Sequence, residues 1–198
     1  MGKRYDRAYF DRWYRHPTRR VVDTQALQRK VNLAVAVAEN YLARPVRSVL
    51  DVGCGEAAWR APLLKLRPNI DYRGVDSSEY AVARYGRERG ISLASFGQMA
   101  HLRPGPPVDL LVCSDVMHYI GARELARGLS GFGELCGGVA FLEVFTRKDD
   151  PEGDREGFIA RSAAFYRRAF ARAGFASVGS YCWLSPALGE VAAELECG

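Results

Sequence analysis

Apolar and polar residues alternate along this chain in a regular succession of strand-like and helix-like stretches. Short apolar runs bounded by polar or turn-forming residues predict buried strands at 47–52, 71–76, 91–95, 109–113, 139–145 and 176–183. Between them, apolar residues recur at three- and four-residue spacing, which predicts helices at 56–66, 78–89, 122–135 and 156–173. The last of these sets Phe158, Ser162, Phe165, Ala169 and Ala173 on one face, with Gly174 placed to stop it. Two helices are expected before the first strand. Tyr5, Tyr9, Phe10, Trp13 and Tyr14 share a face of the first, and His16-Pro17 interrupts it because the residue before proline avoids helical geometry. Leu27, Val31, Ala34, Val35, Ala38, Tyr41 and Leu42 mark a longer second helix that stops near Arg44-Pro45. The repeated βα pattern predicts one α/β domain with a doubly wound, mostly parallel sheet covered by helices on both sides. Residues 1–44 would be a helical cap on a core at 45–198, its first helix lying over the ligand end of the sheet.

Composition narrows the class. A chain of 198 residues, 48% apolar, suits a single globular domain. Its longest apolar run, Leu33-Ala34-Val35-Ala36-Val37-Ala38, is far short of the roughly 20 residues a membrane helix needs. Lys3, Arg4, Asp6 and Arg7 have no apolar stretch behind them, so the N-terminus is not read as a secretory signal. Five scattered cysteines, at 54, 113, 136, 182 and 197, lack metal spacing and fit reduced thiols, hence a cytoplasmic protein. The net charge of +5 is uneven: residues 1–30 carry nine Lys/Arg and three Asp/Glu, and the rest is nearly balanced. Such an arm would attract an anionic substrate or nucleic acid, or be a solvated helix face.

The chemistry is concentrated at three strand ends. Ser48-Val49-Leu50-Asp51-Val52-Gly53-Cys54-Gly55-Glu56 reads as a strand and a glycine turn that lets the backbone come close to a ligand. Asp76 ends the next strand 21 residues after Gly55, near the roughly 20-residue offset of an acid that holds ribose hydroxyls. A third strand ends in Cys113-Ser114-Asp115-Val116-Met117-His118-Tyr119. Together these motifs resemble a class I S-adenosylmethionine-dependent methyltransferase of the compact kind that modifies small molecules, over about residues 40 to 183.

The resemblance implies S-adenosylmethionine as cofactor and a seven-stranded sheet, closed by a short antiparallel strand at 190–194. Asp51 would stand beside the charged end of the donor, with Gly53, Cys54 and Gly55 beneath its tail. Asp76 would accept the ribose hydroxyls, Ser77 and Ser78 would contact the adenine or start a helix, Gln98 would accept from the adenine amino group, and Met99 would pack on the ring or be ordinary core. Gln98 stands where the family usually has an acid, and Ala57 where many members have a third glycine. Ser114 and Asp115 would border the reacting methyl. His118 and Glu143 are candidates for proton removal or acceptor binding; otherwise His118 is packed under its loop and Glu143 forms a helix-side salt bridge. Tyr9, Trp13 and Tyr14 would close over the acceptor or simply pack. The expected acceptor is a small molecule, which the basic arm would favour as an anion, in a monomer or homodimer.

Three other readings stay open. An RNA or protein methyltransferase would use the arm to track phosphates. Gly53, Gly55 and Ala58 also fit a dinucleotide turn, although Asp51 opposes a pyrophosphate and no Tyr-x-x-x-Lys pair is present. A binding module without turnover would keep the same nucleoside pocket.

Overall fold

A computed structural model of the protein describes residues 5–15, 23–150 and 154–193. The predicted break at His16-Pro17, the charges of Lys3 and Arg4, and Cys197 lie outside these residues. The aromatic face at the N-terminus folds as α1 (Arg7–Phe10), which continues as a wider π-type turn over Asp11–Arg15. Asp6 starts it by accepting the Tyr9 N–H at 3.1 Å. α2 (Thr24–Leu42) starts on Asp23, whose carboxylate takes the Gln25 N–H, and its stripe of Val31, Ala34, Val35 and Ala38 is buried.

The strands are β1 (Ser48–Val52), β2 (Asp71–Asp76), β3 (Ile91–Leu93), β4 (Val108–Ser114), β5 (Cys136–Glu143), β6 (Ala176–Gly179) and β7 (Cys182–Leu184). They form one sheet in the order β3-β2-β1-β4-β5-β7-β6. All neighbours pair in parallel except β7, which runs against both β5 and β6. Period-two alternation splits the core between the two sheet faces. Val49, Leu110, Val112, Val139 and Phe141 pack on the side of α2, α3 (Arg60–Leu66) and α4 (Glu79–Arg89). Leu50, Leu111, Cys113, Ala140 and Leu142 pack on the opposite side with α5 (Ala122–Leu129), α6 (Phe132–Leu135) and α7 (Ala163–Arg172). Each buried Val, Leu or Phe among them contributes about 1.5–3 kcal/mol by leaving water. No helix among the described residues is long and apolar enough to cross a membrane.

The sequence pattern misplaces several boundaries. The strand expected at 176–183 is a hairpin, because Ser180 and Tyr181 both have positive φ (49° and 64°) and reverse the chain. That turn supplies the antiparallel strand one element early. The strand expected at 190–194 is not formed over 190–193, where α8 (Pro186–Gly189) runs out into a turn; Glu194 lies outside the described residues. Ser185 caps α8 and Pro186 occupies its first turn, where a missing N–H does no harm. The helix expected at 156–173 begins only at Ala163, on a Ser162 cap that accepts the Phe165 N–H. The helix expected at 122–135 is divided at Ser130, whose hydroxyl donates to Arg127 O at the end of α5.

Candidate functional site

Val52, Asp76, Ser114 and Glu143 end four adjacent strands at one edge of the sheet. In a doubly wound fold this carboxyl edge is where ligands bind. The loop after β1 turns through Gly53 (φ +75°) and Gly55 (φ +55°). A Cβ on Gly53 would come 2.4 Å from Val116 Cγ2, and one on Gly55 would meet Tyr14 Oη at 3.0 Å. Gly53 and Cys54 both donate to Val75 O, at 2.7 and 3.2 Å, which ties the loop to β2. Asp76 then holds the loop from the other side, Oδ2 accepting Gly55 N–H at 2.7 Å and Oδ1 accepting Ser78 N–H at 2.8 Å. Burial raises the Asp76 pKa against these donors. Asp51, also buried, accepts the Tyr72 hydroxyl at 2.7 Å, and desolvation pushes it up to about 7. Both acids are therefore buried carboxyls, and Asp51, pushed up to about 7, is the one that a positive ligand would help to ionise.

Two chambers meet at this loop. The first, of about 90 Å³, lies between the glycine turn, Asp76, Ser77 and Phe96 on one side and the N-terminal segment on the other. The second, of about 370 Å³, runs from Asp51, Cys54 and Trp59 to Lys30, Ser114 and Glu143. Tyr14, Gly53 and Asp115 line both. Asp115 has φ +62°, an uncommon conformation for a residue with a Cβ, and it is held at this junction.

The N-terminal segment roofs the first chamber. Phe10 is buried, stacked at 5.7 Å on Tyr80 and 5.1 Å from Tyr14. Ser78 Oγ donates to Tyr5 O, and Arg15 pairs with Glu56 and reaches Tyr85 Oη at 3.1 Å. Tyr5, Tyr9, Tyr14 and Tyr119 face this space with phenols that burial pushes up, Tyr5 to about 12, so they stay protonated.

The structure brings most of the expected site residues to these chambers. Asp76, Ser77 and Tyr9 line the first; Asp51, Cys54, Ser114 and Glu143 line the second. Four expectations are corrected. Gln98 is exposed, and its amide oxygen accepts the Ser95 N–H in a capping box, so it does not reach the chamber. Met99 is fully buried in the core, and Phe96 takes the place beside the chamber. Trp13 lines neither chamber; the Arg12 guanidinium lies 5.3 Å from its ring centroid. His118 is completely buried among Tyr119, Phe145 and Phe158 and lines neither chamber, so it is no base for an acceptor. Its Nδ1 accepts Phe145 N–H at 3.3 Å, which leaves the proton on Nε2, 3.2 Å from Asp115 Oδ1 but without hydrogen-bond alignment. His118 thus backs the strained Asp115 from within the core.

Phe96, Tyr119, Tyr72, Trp59 and Lys30 were not picked out from the sequence. The run Ser95-Phe96-Gly97-Gln98 carries the serine and glutamine spacing of a capping box, and that signal would have sent Gln98 to the backbone. Lys30 falls in line with Leu27 and Ala34 on the α2 stripe, which marks it as facing the sheet. Burial raises the Cys54 thiol pKa, so it is no nucleophile. Among the described residues no group of His, Cys, Asp and Glu could hold a metal.

Residues 50–138 match a family model described as a methyltransferase domain. Among solved structures the chain is similar to a sugar N-methyltransferase from Streptoalloteichus, with a TM-score of 0.63 and 19% identity over 88% of this chain and 85% of that one. It is also similar to magnesium protoporphyrin IX methyltransferase from Synechocystis with bound S-adenosylmethionine, at a TM-score of 0.60 and 20% identity over 91% of this chain and 90% of that one. A third likeness is to the cyclase SpnF, at a TM-score of 0.55 and 24% identity over 83% of this chain and 62% of that one. Comparison with curated proteins found no match. At these identities the structural likenesses establish the fold, and the last shows that the fold alone does not fix a reaction.

Proposed function

We propose that this chain is a class I S-adenosylmethionine-dependent methyltransferase that methylates a small molecule held in the second chamber; the methyltransferase-domain match over residues 50–138 and the solved structures of similar fold support this reading. The observation that carries this reading is the junction: one chamber with the features of a nucleoside site opens onto another across Gly53, Tyr14 and Asp115. The residues fit the cofactor. Asp76 offers its remaining lone pairs to ribose hydroxyls while its N–H partners fix it in place. The bare backbone at Gly53 and Gly55 admits the tail, and Asp51 ionises to balance the positive end. Bound there, S-adenosylmethionine supplies a methyl group already activated by its sulfonium, so this chain's task is alignment and dryness. Phe10, Tyr9 and Tyr14 exclude water from above, and Asp115, with φ +62°, lines the floor of the junction. The small-molecule sugar and porphyrin methyltransferases of similar fold support an acceptor of that size.

The test is capture of product. The chain with S-adenosylmethionine carrying a labelled methyl is incubated with a pooled metabolite extract and, separately, with total RNA and protein. Label is expected in a low-molecular-weight product and lost with Asp76→Ala, whose cofactor affinity should fall by about 1–3 kcal/mol. Label confined to RNA or protein contradicts the small-molecule reading.

A further inference from the structure

Lys30 reaches from α2 into the second chamber and sets its ammonium 2.6 Å from Glu143 Oε1. Ser114 Oγ donates to the other carboxylate oxygen, and Ser114 and Glu143 are register partners at the ends of β4 and β5. The alternation of β5 directs Glu143 to the face of Val139 and Phe141, which is the α2 side. The two partners differ in freedom. The Glu143 side chain is 4% exposed on a central strand, whereas that of Lys30 is 39% exposed on a flexible four-carbon stem. A carboxylate so buried requires a cation or a proton; the lysine that supplies one can swing out to water. Glu143 is thus a fixed ammonium seat, and the chain's own amine occupies it.

The surroundings suit the same chemistry. Trp59, Tyr14 and Phe145 present aromatic surface to the chamber, and Asp51 and Asp115 also face it, Asp51 accepting the Tyr72 hydroxyl. Asp23 and Asp150 also line it, with Arg29 and Arg155 near them. Lys30 is the one cation among the described lining residues. A chamber of this sign attracts an organic cation and repels an anion, contrary to the anionic acceptor that the basic arm suggested.

We propose that the acceptor is a small organic amine whose ammonium displaces Lys30 from Glu143, its carbon skeleton lying against Trp59 and Phe145. This rests on the methyltransferase reading, since the seat matters as an acceptor site only beside the cofactor. The nitrogen becomes nucleophilic once one proton passes to a lining carboxylate or to water.

The experiment is an NMR titration of the full chain, saturated with S-adenosylhomocysteine, using two probes of opposite charge on the same ring and spacer: phenethylamine and hydrocinnamate. Phenethylamine should bind and hydrocinnamate should not. Glu143→Gln should weaken phenethylamine by about tenfold or more, the loss of one charge-assisted contact. Lys30→Met should strengthen it by removing the internal competitor, and that arm stands even if Glu143→Gln fails to fold. Preference for hydrocinnamate, no binding of phenethylamine, or a Lys30→Met variant that binds either phenethylamine or S-adenosylhomocysteine more weakly would overturn the proposal. Failure of S-adenosylhomocysteine to bind the unaltered chain would instead remove the methyltransferase reading beneath it.

Discussion

At the scale of single residues, the site depends on a few buried polar groups whose partners are backbone. Asp76 illustrates this: its spacing from Gly55 marked it as a ribose acid, and the structure shows that it also builds the loop, through Gly55 and Ser78 N–H groups. His118 runs the other way. A histidine one turn past Asp115 reads from sequence as a base or as packed under its loop, and the structure supports the second, since it has no exposure and its Nδ1 is committed to Phe145. His118→Ala should therefore lower unfolding stability by about 2–4 kcal/mol, from a cavity and an unsatisfied Phe145 N–H. Urea denaturation checks this. A variant of unaltered stability but abolished turnover would restore the catalytic role. Sequence could not settle the matter, because burial is set by Phe145 and Phe158, which lie 27 and 40 positions away along the chain. Glu143 was legible as an anomaly in an apolar strand; its partner Lys30 belongs to a different element, and pairings between elements are invisible in one sequence.

At the scale of elements, the central strands β1, β4 and β5 were readable because parallel strands buried on both faces leave apolar runs. Boundaries failed where a local cap or turn outweighs periodicity. Ser162 holds back α7, and the turn at Ser180-Tyr181 folds one expected strand into two. The N-terminal segment has the clearest consequence. It encloses a first chamber of about 90 Å³, below the roughly 300–1,000 Å³ of ordinary small-molecule pockets. A whole cofactor can enter only if Tyr14 and the short α1 shift, and the contacts that hold this segment include Phe10, Tyr5 O and the Arg15 pairs. Hydrogen exchange should accordingly be fast for amides of 7–15 and slow for those of β1 and β4, with S-adenosylhomocysteine slowing the former. Equal protection of both regions without ligand would mean that the segment is part of the rigid core.

At the scale of the whole molecule, the balance of charge is linked to stability through pH. Burial raises Asp51 from 3.8 to about 7, and Asp76 moves in the same direction. A carboxyl whose folded pKa is raised binds its proton more tightly in the folded state. Its contribution is complete below pH 3.8 and is lost as pH rises through about 7. Glu39 and Asp109, lowered mainly through Arg67 and Arg44, act oppositely and lose their contribution as the solution becomes more acid. Asp51→Asn isolates the first effect, since it keeps an acceptor for Tyr72 but never ionises. Relative to the unaltered chain, this variant should gain stability as pH rises from about 4 to about 8; parallel denaturation profiles over that range would place Asp51 in a solvated environment. The fold and the mostly parallel sheet were legible in sequence at this scale. The sign of the second chamber was not, because it is assembled from α2, β1, β4 and β5 together.

The most direct measurement is a crystal structure with S-adenosylhomocysteine bound. Density for the ribose is expected on Asp76 and for the amino acid tail over Gly53 and Gly55, with adenine beside Phe96 and the sulfur at the junction lined by Asp115. Density elsewhere on the molecule, or an empty strand edge at saturating ligand, would contradict it.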